Sequence, residues 1–216
     1  QYFNVVGTLI GVAVSGILIM KEVRSTVLFG LGFLFFAIDC AWFTTVFYPD
    51  TTLLKIGPPL MLQGFSQGWL FTPLVMFMLT GLPAKLVGNG SLIGTTSRFW
   101  TTNIGFALIQ NLTYVFSKKH YSVLQQNLNP ASPKAQTIWN GMMQQYAPKY
   151  NEEVATQLVT GKLNAMVSKQ ALLLSNMEIF TWLMWLSLAT CLIIFLQKPT
   201  TIIVRKLSLR NRFSVG

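Results

Sequence analysis

The chain has 216 residues, 52% of them hydrophobic and only 10% charged, with a net charge of +10 and a mean hydropathy of +0.50. An ordinary soluble domain carries about 25% charged residues, so these side chains supply too little polar surface to cover a soluble fold. In a soluble protein the basic excess would suit nucleic acid. Here the cations collect between apolar runs on one side, which points to a bilayer instead and argues against a nucleic-acid partner.

Five apolar runs are long enough to cross a membrane: Val5–Met20, Val27–Tyr48, Ile56–Leu79, Ser91–Phe116 and Ala171–Leu196. A hydrocarbon core of about 30 Å takes roughly 20 helical residues, and the first run is short unless Tyr2 and Phe3 join it. The fold class that follows is an all-α polytopic membrane helix bundle with five transmembrane helices. Residues 1–116 hold four helices with short loops, 117–170 form a loop with amphipathic helices, 171–197 form the last span and 198–216 a basic tail. The chain opens on Gln1 with no signal peptide of the usual form, and it is read as a piece of a longer protein.

The first run carries Gly7, Gly11 and Ser15 at spacing four, the third Gly64, Gly68 and Thr72, and the fourth Gly90, Gly94, Ser97, Thr101 and Gly105. Helices in lipid associate by close packing of small residues, so Gly7, Gly11, Gly64, Gly68, Gly94 and Gly105 are candidate packing positions. The functional reading of these stripes is a sliding interface, and the simpler one is static packing. In the second run Asp39 lies near mid-span, and Glu178 is about two turns into the fifth. Acids inside a membrane are expensive and typically carry protons. A pairing of Asp39 with a cation elsewhere, or hydration of Glu178 at the boundary, are the bland alternatives.

The third run is interrupted by Gly57, Pro58 and Pro59 at its start and by Pro73 inside, where proline removes a backbone donor. Gln63 and Gln67 lie one turn apart and must face protein or water rather than lipid. Asn103, Phe106 and Gln110 make a comparable polar and aromatic strip on the fourth run. Convergence of these amides would form a neutral, aromatic-lined pocket suited to amphiphiles; the alternative is interhelical hydrogen bonding. Arg98 is read as reaching back to lipid headgroups.

In the long loop Pro130, Pro133 and Pro148 are breaks. A short helix is predicted over Ala135–Tyr146 with Ile138, Trp139 and Met142 on one side. Asn151 reads as an N-cap followed by Glu152 and Glu153, and Val154, Leu158, Val159, Leu163 and Met166 make an apolar stripe. Lys198–Pro199 is expected to end the last helix. Lys21, Arg24, Lys85, Arg98, Lys198, Arg205, Lys206, Arg210 and Arg212 fall on one side if the spans alternate. The positive-inside rule then makes the C-terminus cytoplasmic and residues 117–170 external.

Cys40 and Cys191 sit inside apolar runs as small hydrophobes, and neither has a partner at ligand spacing. His120, the sole histidine, is read as a hydrated side chain at headgroup level. No zinc signature, phosphate-cradling loop or nucleophile elbow is present, so an enzyme, a metal and a cofactor are not expected.

Leu62-Gln63-Gly64-Phe65, Pro73-Leu74 and Thr80-Gly81-Leu82-Pro83 resemble the tenth-helix region and following loop of EmrB-type drug:proton antiporters of the major facilitator superfamily. The resemblance continues through Arg98 and Gly105, the stretch Asn127–Pro133 with Gln136, and Ser175-Asn176 with Glu178-Ile179-Phe180, spanning about Ile56 to Pro199. It implies the C-terminal portion of a fourteen-helix multidrug efflux transporter in the cell (inner) membrane, whose partners are the lipid bilayer, the missing N-terminal half, amphiphilic substrates and protons. Two departures stand out. Leu60 occupies the place of a basic residue in the first-half version of the motif, and Lys21–Ser25 keeps little of the Gly/Asp/Arg-rich early loop. In the family arrangement runs two and five are outer helices. Export of amphiphilic drugs by proton antiport is therefore the function expected, with Gln63, Gln67, Asn103, Phe106 and Gln110 for substrate and Asp39 or Glu178 for protons. The alternative is a non-transporting membrane scaffold whose external loop docks a periplasmic adaptor.

Overall fold

The computed structural model describes residues 2–48, 51–79, 82–127 and 133–213. Thr80, Gly81 and Pro130 lie outside the described residues, as do the side chains from Lys198 to Arg212. The protein is all-helical: α1 (Tyr2–Met20), α2 (Ser25–Val46), α3 (Leu53–Leu79), a 3-10 turn (Ala84–Leu86), α4 (Val87–Asn127), α5 (Pro133–Tyr146) and α6 (Glu152–Phe213). The chain divides into two compact units. The first comprises Gln1–Val46, Thr51–Thr102 and Phe180–Gly216, and the second Phe47–Asp50 and Asn103–Ile179.

In the first unit α3 is packed by α1 on one side and α2 on another. The α1 contact is made by glycine. A Cβ added at Gly7 would come within 2.9 Å of the Phe65 nitrogen, one at Gly11 within 2.8 Å of the Trp69 nitrogen, and one at Gly64 within 2.9 Å of the Thr8 nitrogen. Backbone therefore touches backbone, as small-residue stripes allow in lipid. Polar side chains seal both ends of this seam. The Asn4 amide donates to Gln63 Oε1 at 3.3 Å, and the Ser15 hydroxyl donates to Thr72 Oγ1 at 2.9 Å. Residue numbers rise together along the seam, so α1 and α3 are parallel.

The α2 contact is aromatic. Trp69 Nε1 donates to the Leu28 carbonyl at 2.8 Å, and Phe35 packs edge-on against Phe65 and Trp69 with centroids 5.3 Å away in each case. On another side of α2, Ser187 of α6 donates to the Phe33 carbonyl at 2.6 Å, Cys191 to the Gly30 carbonyl at 3.3 Å, and Phe43 meets Phe180 at 5.1 Å. Numbers run oppositely in both contacts, so α2 is antiparallel to α3 and to α6. Met78 against Gly94 and Phe71 against Arg98 make α4 antiparallel to α3 as well. Within this unit the five long helices thus alternate in direction along the chain.

Among the described residues, three helices are long and apolar enough to cross a membrane by composition: Tyr2–Met20, Ser25–Val46 and Glu152–Leu196. The third and fourth runs do not reach that hydropathy, because α3 is diluted by Lys55, three prolines and two glutamines and α4 by its serines, threonines and amides.

The α1–α2 turn closes with the Glu22 amide on the Ile19 carbonyl at 2.9 Å and Val23 on Leu18 at 3.1 Å. This is a Schellman closure in which Glu22, at φ 58°, holds the left-handed position usually given to glycine.

Several element boundaries and faces differ from the sequence reading. α3 begins at Leu53, before Gly57–Pro59, because Thr52 offers its carbonyl to the Lys55 and Ile56 amides and starts the helix early. α4 does not stop near Phe116 but continues to Asn127, since Ser117–Asn127 contains no glycine or proline to break it. α6 runs from Glu152 through Pro199 to Phe213. Pro199 removes one helical hydrogen bond, and the helix continues past it through residues 200–204 all the same. The buried stripe at the start of α6 is Ala155, Val159, Val167, Ala171 and Ser175, while Val154, Leu158 and Met166 face outward. Small residues win the inner face by permitting closer approach. On α5 likewise Ala135 is buried and Ile138 is 42% exposed.

The seam yields a direct test in the complete protein. Gly11→Ala should lower thermal stability, because overpacking costs roughly 1–3 kcal/mol against a helix-propensity gain of at most about 1 kcal/mol. Gly16→Ala, whose Cβ meets nothing within 4 Å, should be neutral or stabilising. Equal melting temperatures for the two variants would show that α1 and α3 do not approach this closely.

Candidate functional site

Asp39 on α2 is fully buried, and neither carboxylate oxygen has a hydrogen-bond partner among the described residues. Its neighbours along the helix face, Ala37, Cys40 and Phe43, are buried too. A polar group held this way is costly and is retained where a span has work for it to do. Glu178 is placed differently. In the second unit its Oε2 lies 2.9 Å from His120 Nε2, the two side chains 31% and 24% exposed. This contact joins the extension of α4 to α6, and it is the one ion-pair contact among the described residues. The histidine that the sequence leaves as a hydrated bystander is therefore the acid's partner, a pairing across 58 residues that no local motif announces.

The substrate candidates divide between the two units. Gln63 is half-buried and committed to Asn4 at the α1–α3 seam, whereas Gln67 is exposed on α3. Asn103, Phe106 and Gln110 lie on the part of α4 that belongs to the second unit, and Phe106 is 63% exposed. The cleft in the first unit is lined by neither glutamine. It lies between the end of α3 and the start of α4, has a volume of about 600 Å³, and includes Phe71, Met78, Gly94 and Arg98. Arg98 does not simply reach outward, since its guanidinium carbon sits 4.5 Å from the Phe71 ring centroid. Sequence reasoning missed Asn4 and Phe71, whose roles arise only from neighbours distant in the chain.

Of the packing glycines, Gly7, Gly11, Gly64 and Gly68 lie in the α1–α3 seam, Gly94 is met by the Met78 side chain, and a Cβ at Gly105 would meet nothing within 4 Å.

No protein-family model matches the chain, and no solved structure matches it. It is similar to the multidrug export protein EmrB of Haemophilus influenzae, 24% identical over 182 residues that make up 82% of this chain and 34% of that protein. The chain thus spans about a third of the length of this relative, in its C-terminal part. The resemblance to EmrB-type exporters read from the motifs holds, and with the apolar helices it describes a membrane protein.

The His120–Glu178 contact is open to measurement. A double-mutant cycle with His120→Ala and Glu178→Gln in the complete protein should give a coupling of roughly 0.2–1 kcal/mol, as partly exposed pairs do. Strict additivity would mean that the two side chains do not meet.

Proposed function

We propose that this chain is the C-terminal part of a secondary transporter that exports amphiphilic drugs or toxic compounds across the cell membrane in exchange for protons. The observation that carries the reading is the likeness over 182 residues to a protein named for multidrug export. The alternating directions of α1, α2, α3, α4 and α6 support it, because they suit five membrane spans. On that reading α3 and α4 cross despite their polar content, their amides facing protein or an aqueous cavity. Lys21, Arg24 and Lys85 lie at the α1–α2 and α3–α4 connections and mark the cytoplasmic side. The C-terminus is then cytoplasmic and the segment 117–170 external.

Alternating access would rock this part against the remainder of the transporter around a midplane site. On α3 Gln67 would contact substrate, with Gln63 steadied by Asn4, and on α4 the candidates are Asn103, Phe106 and Gln110. Asp39 is the stronger protonation candidate because it is buried without a partner, while Glu178 is engaged by His120.

Export measured in inverted vesicles of the complete protein tests these roles. Asp39→Asn should abolish proton-driven export while drug binding and protein level persist; export at the native rate would remove Asp39. Gln67→Leu should change apparent affinity by on the order of 1 kcal/mol, several-fold and unequally across drugs. Uniform loss that follows protein level would take Gln67 out of the site.

A further inference from the structure

The cleft between α3 and α4 joins two unlike walls. On the α3 side stand Leu74, Phe77 and Met78, exposed by 41%, 69% and 38%. On the α4 side stand Ser91, Ser97 and Arg98, with the Met78 side chain seated against Gly94. A ligand that fills this space needs a long apolar flank and a polar one.

The polar flank calls for negative charge. The chain contains no Asp or Glu between Asp50 and Glu152, so neither helix of the cleft can supply Arg98 with a carboxylate. The ion-pair contact among the described residues lies elsewhere, at His120 and Glu178. Arg98 lays its guanidinium over the Phe71 ring, 4.5 Å to the centroid. A guanidinium can offer two parallel N–H hydrogen bonds to a phosphate. The threonine hydroxyls do not compete as donors. Thr95, Thr101 and Thr102 donate back to the carbonyls of Ser91, Ser97 and Arg98 at 2.9, 2.9 and 2.8 Å. The start of α4, with Asn89, Ser91, Thr95, Thr96, Ser97 and Arg98 in one stretch, is polar enough to lie at headgroup depth.

We propose that this cleft is a binding site for an anionic membrane phospholipid, its phosphate on Arg98 and its acyl chain along the apolar wall of α3. Basic pockets between membrane helices recognise acidic headgroups in this way. A free phosphate would leave the apolar wall uncovered, and a zwitterionic lipid would bring a second cation to Arg98 along with its phosphate. The site requires the chain to lie in a bilayer but does not depend on drug export.

Native mass spectrometry of the complete protein tests the site with two lipids of identical acyl chains, phosphatidylglycerol and phosphatidylcholine. Phosphatidylglycerol should be retained on the order of tenfold more tightly, because phosphatidylcholine offers the same phosphate with a choline cation that cancels its charge and repels Arg98. Arg98→Gln should abolish that preference and Arg98→Lys should keep part of it, with melting in lipid-free detergent reporting on folding. Met78→Trp should fill the cleft and weaken retention with Arg98 untouched, which decides the matter if Arg98→Gln fails to fold. Equal retention of the two lipids by the unmodified protein would overturn the proposal. So would an unchanged preference in Arg98→Gln, undiminished retention in Met78→Trp, or displacement of phosphatidylglycerol by millimolar inorganic phosphate.

Discussion

Contact of one helix backbone with another, along Gly7, Gly11 and Ser15 of α1 and Gly64, Gly68 and Thr72 of α3, is the constraint on which the first unit depends. Lipid offers apolar side chains no reason to leave it, so helices that associate must gain from dispersion at short range and from hydrogen bonds. Glycine at four-residue spacing supplies the first. The Asn4–Gln63 and Ser15–Thr72 bonds supply the second and pin the register at both ends. A slip of one residue would drive side chains into the opposing backbone.

With α1 held parallel to it, α3 directs its aromatic side toward α2. Phe65 and Trp69 meet Phe35, and Trp69 finds the Leu28 carbonyl, which an indole N–H buried in a membrane protein needs. α2 in turn takes α6 through Phe33, Gly30 and Phe43. Asp39 of α2 is completely buried. Its carboxylate finds no donor there, whereas Ser15, Ser66 and Ser175 bond to a neighbouring hydroxyl or to their own helix carbonyls. That contrast underlies its choice as the protonation candidate in the proposed function.

Much of this arrangement is legible in the amino-acid order, and the limits have physical causes. The glycine stripes of α1 and α3 are visible as spacing because lipid-embedded packing selects for size. Asn151 and the acids after it mark the start of α6, which opens at Glu152 with the Ala155 amide on the Asn151 carbonyl. The ends of α4 and α6 are misjudged: nothing between Phe116 and Asn127 stops the first, and a proline alone did not stop the second. Faces of α5 and α6 are misjudged when large apolar residues are taken as the inner side, since Ala135, Ala155 and Ala171 pack more closely than Ile138 or Leu158. Among the site residues, the intramembrane position of Asp39 can be read from hydropathy. The pairing of Glu178 with His120, the engagement of Gln63 by Asn4 and the stacking of Arg98 on Phe71 are tertiary contacts with no signal in local sequence.

Parallel packing of α1 and α3 through the glycine seam is the central claim, and disulfide cross-linking tests it most directly. In the complete protein with Cys40 and Cys191 replaced by alanine, cysteine pairs at Asn4 with Gln63 and at Ser15 with Thr72 should oxidise readily in membranes. A pair at Asn4 with Thr72 should not. Cross-linking of Asn4 with Thr72 in place of the other two would make the helices antiparallel and contradict the account.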